Sequence, residues 1–249
     1  MAGHSKFKNI MHRKGAQDKK RAKLFSRLIR EISVASKIGG GETDSNPRLR
    51  AAVNNALSSN MSKESIQKAI KKNSTSTDND NILEIIYEGF GPGGVAIVIE
   101  CLTDNKNRSA SEIRSTFSKY NGNLGISGSV RHFFKKTGII TFSNEIDSFE
   151  NFFEFSASLN VEDIIDNKET YEIVTDLQLF HNTIAKLEKK YSLPKFSSIE
   201  WRPITVIDVV NEENARSLIK LLEKLEDLDD VQAVVSNFNI DEELMERLI

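Results

Sequence analysis

Few side chains in this sequence stand where catalysis would need them. The single cysteine, Cys101, falls within an alternating apolar run of Val95, Ile97, Ile99 and Cys101. One thiol makes neither an internal disulfide nor a cysteine zinc site, and this one reads as a buried structural thiol. The four histidines, His4, His12, His132 and His181, include no i, i+4 pair and no H-E-x-x-H. Glu100 and Asp104 flank the end of the apolar run, but two carboxylates near one turn are too common to indicate hydrolysis. Gly122, Gly125 and Gly128 recur at three-residue spacing, without the G-x-G-x-x-G or GK[ST] patterns that cradle a nucleotide. The GPGG at 91–94 reads as a hairpin turn. No catalytic residue, metal site, cofactor or small-molecule substrate is expected, and the chain is expected not to be an enzyme.

The chemistry that does stand out is cationic. Residues 1–72 carry 17 of the 34 Lys/Arg but only 5 of the 36 Asp/Glu, a net of +12, whereas the remainder nets −14. A chain so polarised points to a polyanion for one end and one-sided contact, since the acidic remainder repels the same partner. The arm over residues 1–18 holds Lys6, Lys8, Arg13 and Lys14, with His4 and His12 beside them. Downstream, Lys19, Lys23, Arg27, Arg30 and Lys37 gather within an arc of roughly 80° of a helix, with Arg21 near the apolar edge. Lysine and arginine at this density suit phosphate backbone, where each neutralised phosphate releases counterions. Asn9, Gln17 and Asn55 are the candidates for reading bases.

These residues need elements to hold them. Period 3.6 runs from Lys19 to Ile38, with Phe25, Leu28, Ile29, Ile32 and Ala35 inward, and stops at Gly39-Gly40-Gly41. A second helix opens at Asn46-Pro47, with Leu49, Ala52, Val53, Ala56 and Leu57 inward. A third spans 62–72, with Ile66, Ala69 and Ile70 inward. Residues 73–80, NSTSTDND, form a polar linker. Strands follow at 82–90 and 95–102, then a helix opened by a Ser109/Glu112 capping box with Ile113 and Phe117 inward. Residues 121–129 form a glycine-rich loop, read either as a plain connection or as a protruding contact. The order βαββαβ from 138 to 201 suggests a ferredoxin-like unit. A strand, a helix (211–228, with Ala215, Leu218, Leu222 and Leu225 in a seam) and a strand close the chain. The expected fold is α+β. A basic arm and three-helix bundle (1–76) precede a discontinuous α+β domain (77–132 with 203–249), into which a ferredoxin-like domain (133–202) is inserted.

MAGHSKFKNI with HRKGAQDKKRAKLFSRLIREI, then YEGFGPGGVAIVIECLTDNKNR, NLGISGSV and LEKLEDLDDVQAVVSNF, resemble the signature blocks of the YebC/PmpR family across essentially the whole chain. The resemblance implies the same three-domain plan in a bacterial cytoplasmic protein. Mitochondrial relatives, which carry a leader, activate translation of cytochrome oxidase. With the signature beginning at Met1, no leader is expected here. Some members are treated as DNA-binding transcriptional regulators, others as ribosome-associated factors that touch ribosomal RNA and relieve stalling.

By resemblance, phosphate binding falls to Lys6, Lys8, His12, Arg13, Lys14, Lys19, Lys20, Arg21 and Lys23; the helical face adds Arg27 and Arg30. The loop with Asn121, Gly122, Asn123, Gly125 and Gly128 is then a second contact. Three departures stand out: Phe7 for the usual tryptophan, Phe90 for tyrosine, and Asn121-Gly122 for two glycines. The expected partner is nucleic acid, as DNA or ribosomal RNA, with the ribosome as its carrier and no membrane. The competing class is a protein-interaction module acting through the acidic C-terminal domains.

Overall fold

The computed structural model describes residues 17–74 and 82–248. By spatial contact they fall into two compact units. One holds 20–74 with 136–200, the other 82–135 with 201–248 and the first residues of the opening helix, 17–19.

In the first unit, α1 (Gln17–Gly39), α2 (Pro47–Ser58) and α3 (Lys63–Ser74) form the bundle. Ile32, Ala35, Leu49, Ala52, Ala56, Ile66, Ala69 and Ile70 make its core, with Phe25, Leu28 and Val53 packed against it. Ile29 and Leu57, expected inward, are exposed. Both lie at the margin of their apolar stripes. Asn46 makes the α1–α2 corner: its Oδ1 accepts from Leu49 N at 3.0 Å, while its Nδ2 donates to Ala35 O at 2.7 Å and Gly40 O at 2.8 Å. One buried amide thus caps α2 and satisfies the end of α1. Gly40, at φ +85°, supplies the left-handed residue that turns the chain.

The same unit contains β4 (Phe134–Ser143), α5 (Phe149–Ala157), β5 (Asp163–Asn167), β6 (Thr170–Thr175), α6 (Leu177–Tyr191) and β7 (Phe196–Pro203); the ends of β4 and β7 run on into the other unit. The sheet order is β5-β6-β4-β7, the ferredoxin-like arrangement. Ile140, Phe142, Phe152, Ile173, Phe180 and Leu187 fill the space under α5 and α6.

The sequence sets the bundle apart as its own domain, yet by contact it groups with the inserted sheet. One observed link is Asn55, whose Nδ2 donates to Ser197 O at 2.8 Å while its Oδ1 accepts from Ser197 N at 3.0 Å. The side chain pairs with β7, an edge strand, as another strand would. Asn55→Ala loses both bonds and leaves Ser197 unpaired. We predict a loss of about 1–3 kcal/mol in chemical denaturation; an unchanged midpoint would show that the link carries nothing.

The second unit contains β1 (Leu83–Phe90), β2 (Ala96–Thr103), α4 (Lys106–Lys119), β3 (Asn123–Leu124), β8 (Ile207–Asp208), α7 (Glu212–Asp227), β9 (Val231–Ser236), β10 (Phe238–Asn239) and α8 (Glu242–Leu248). Its main sheet is ordered β3-β1-β2-β9. Val95, Ile97, Ile99 and Cys101 pack against Ile113 and Phe117 of α4 and against Leu218, Leu222 and Leu225 of α7. Ala96 and Val98 face the opposite way, onto Val130 and Phe134. β2 is therefore covered on both faces, and Cys101 is buried as expected.

The capping box is corrected. Asn105 caps α4, accepting from Arg108 N at 3.1 Å, so the helix starts a turn earlier than expected. Ser109 is buried instead. It donates to Asp230 at 2.7 Å, and Thr103 (2.9 Å) and Arg108 (2.8 Å) bond the same carboxylate oxygen. Burial pushes the Asp230 carboxyl up, but Arg108, Ser109 and Thr103 hold it below its ordinary value. The expected strand at 204–209 shrinks to β8, paired in parallel with β10, and α8 was not foreseen.

Candidate nucleic-acid interface

At 1.5 Å per residue, α1 is about 34 Å long, enough to lie across several phosphates. Phe25, Leu28, Ile32 and Ala35 hold one side against the bundle. Lys23, Arg27 and Arg30 follow at i, i+4 and i+7 on the side away from that core, each half-buried. Arg21 is exposed, and its guanidinium stands 5.3 Å from the Phe25 ring centroid. The apolar-edge position read from the sequence thus becomes a cation–π contact. Glu31, bonded twice by Arg48 of α2 at 2.6 and 3.1 Å, fixes the helix to its neighbour from outside the core.

Lys19 and Lys20 fall within α1. Lys6, Lys8, His12, Arg13 and Lys14, with His4 and Asn9, lie outside the described residues. Asn55 is not a base reader, because both ends of its amide are bonded to Ser197.

The second candidate, the glycine-bearing segment 121–129, lies in the other unit. Asn123 and Leu124 form β3 on Phe90 and Gly89 of β1. A Cβ on Gly122 would stand 2.8 Å from Phe117 and 3.0 Å from Phe90 O, so glycine is needed for close approach. Gly125 N donates to Glu88 O at 2.8 Å. The Glu88 side chain is fully buried and collects the rest of the loop. It accepts from Gly128 N at 2.7 Å, Val130 N at 2.9 Å, Arg131 N at 3.1 Å and Arg131 Nε at 2.7 Å. Arg131 Nη2 then bonds Ser127 Oγ at 2.6 Å.

Burial pushes the Glu88 carboxyl up; the Gly128 and Val130 amides and Arg131 outweigh it and hold the group below the ordinary carboxylate value. The sequence reading passed over Glu88. Its signal was a carboxylate two residues ahead of the end of an otherwise mostly apolar strand, placed beside glycines by pairing that spacing does not show.

The remaining polar candidates have structural partners. Glu100 accepts from Trp201 Nε1 at 2.9 Å, and Asp104 pairs with Arg108 at 2.8 Å. Pro92–Gly94 forms the expected turn, closed by Gly91 N on Val95 O at 2.8 Å. Among the described residues no cluster of His, Cys, Asp and Glu could hold a metal ion, and no helix is long and apolar enough to cross a membrane.

Two family models match the chain: the TACO1/YebC N-terminal domain over residues 5–76, and the TACO1/YebC second and third domains over 82–238. Similar proteins include a "Probable transcriptional regulatory protein" of Rickettsia bellii, 49% identical over 100% of this chain and 98% of its own length. One of the same description from Zymomonas mobilis is 50% identical over 100% and 99%. Among solved structures, a conserved hypothetical protein from Aquifex aeolicus superposes with a TM-score of 0.83 at 42% identity, covering 90% of this chain and 92% of that one.

Proposed function

Since the chain belongs to the TACO1/YebC family, we propose that it regulates gene expression in the cytoplasm, without catalysis, by gripping the phosphate backbone of a nucleic acid with the basic face of α1. The single observation that carries this is the segregation of charge on a folded helix. Lys23, Arg27 and Arg30 line one side while the opposite side is spent on the bundle core. The names of the relatives support a regulatory role for this chain.

Lys19, Lys20 and Arg21 extend the grip toward the helix start, and Lys6, Lys8, His12, Arg13 and Lys14 of the arm join it. These contacts position the protein without reading sequence. The loop from Asn121 to Ser129 makes a second contact. Its ordered, glycine-bearing shape suits the irregular surface of a folded RNA better than a uniform groove. That favours ribosomal RNA as the target, and relief of stalled translation as the action; promoter DNA is the alternative.

A salt titration tests the grip. About five to eight phosphate contacts give a log–log slope of affinity on salt near −5 to −7 with duplex DNA. A flat titration removes the reading. Crosslinking in cells followed by sequencing of bound DNA and RNA separates the targets: enrichment on ribosomal RNA supports the translational role, and peaks at promoters support the transcriptional one.

A further inference from the structure

The loop that Glu88 ties down ends in a side chain with no apolar cover. Ile126 is 82% exposed. Single exposed apolar residues are ordinary on protein surfaces. Here the backbone on both sides is fixed, which is not ordinary for a loop tip. Gly125 N is bonded to Glu88 O, and Ser129 N closes a turn on Ile126 O at 3.2 Å. Gly128, Val130 and Arg131 are held by the buried Glu88 carboxylate, and Ser127 by Arg131. A slack loop would let isoleucine fold back onto the protein; this one holds it out. Gly128, at φ +89° with nothing within 4 Å of its missing Cβ, leaves room for close approach beside the tip. Arg131, which is paired with Glu88, and Lys135 follow within the same unit.

We propose that Ile126 is an apolar wedge that inserts between unpaired bases of an RNA loop, and that Glu88 is the positioning residue that holds the wedge in place. An isoleucine can replace one base's stacking partner when the neighbouring base has already left the stack, and unpaired loops offer that step at lowest cost. Glu88 itself never touches the RNA. Its carboxylate replaces the water that three backbone N–H groups and one guanidinium would otherwise need. The inference rests on the nucleic-acid-binding function proposed above.

The test uses the full chain and an RNA hairpin carrying 2-aminopurine in its unpaired loop, with a blunt DNA duplex as the second probe. Unstacking brightens 2-aminopurine. The parent chain is expected to bind the hairpin and raise its fluorescence. Ile126→Ser is expected to lose the rise and about tenfold in hairpin affinity, near the lower end of what burying one aliphatic side chain contributes, with the salt slope and duplex affinity unchanged. Glu88→Gln removes the charge at constant size. It should behave as Ile126→Ser does, and in the double variant it should add nothing further. If Glu88→Gln does not fold, Gly128→Ala, strained at its positive φ but sterically open, carries the same expectation.

A fluorescence rise that survives Ile126→Ser overturns the wedge, as does an equal loss on duplex DNA. Additive losses in the double variant overturn the role of Glu88. A parent chain that binds the hairpin with a steep salt slope but leaves 2-aminopurine dark sinks this inference alone. A parent chain that binds neither probe sinks the proposed function with it.

Discussion

A chain in which Lys19, Lys20, Arg21, Lys23 and Arg27 are replaced together by glutamate will bind nucleic acid at least about a thousandfold more weakly at physiological salt. Each reversal removes a counterion-releasing contact and puts a like charge beside the phosphates. Glutamate has nearly the helix propensity of lysine and arginine. The core of the bundle, built on Phe25, Leu28 and Ile32, is untouched. The helix should therefore persist, which circular dichroism checks, while fluorescence anisotropy reads the affinity. The control is reversal of Lys186 and Lys189 on α6 and Lys195 just before β7, all exposed and none on α1. That variant should bind as the parent does. Equal losses in both variants would mean that net charge, not the α1 face, decides affinity, and no loss in the first would remove the proposed function.

The largest effect on stability should come from Glu88→Ala. The substitution leaves Arg131 and the N–H groups of Gly128, Val130 and Arg131 without the acceptor they now share. Glu88 is fully buried but Arg131 stays 39% exposed, so the cost is chiefly that of the backbone N–H groups left without an acceptor, about 1–3 kcal/mol for each buried one. A loss below about 1 kcal/mol, within the range of an ordinary surface substitution, would show that water already serves these groups.

The same geometry sets a pH dependence. The Glu88 and Asp230 carboxyls both sit below their ordinary values in the folded chain, so the unfolded chain binds more protons across that interval. Their contribution is complete above the ordinary carboxylate range and is lost as pH falls through the lowered values. Denaturation midpoints should fall more steeply with acid in the parent than in Glu88→Gln, and parallel curves would contradict this.

The helices and strands were legible because one-sided burial writes a period into the chain. Asn46-Pro47 and Asn211 open their helices where cap chemistry places them, and the alternation from Val95 to Cys101 became a core strand. The cationic face of α1 was legible for the same reason: a helix converts spacing into direction, and charge separated from the apolar stripe needs no tertiary partner to be seen. What spacing could not show is which polar groups meet across distance in the chain. Ser109 looks like a cap from its neighbours, but it binds Asp230. Asn55 looks available, but its amide is used on Ser197. Glu88 looks like one acid among many, but strand pairing buries it beside the Gly128 turn. Periodicity is local and survives in the sequence. The pairing of a carboxylate with backbone amides forty residues away exists only once the sheet has formed and excluded the water that would otherwise solvate both.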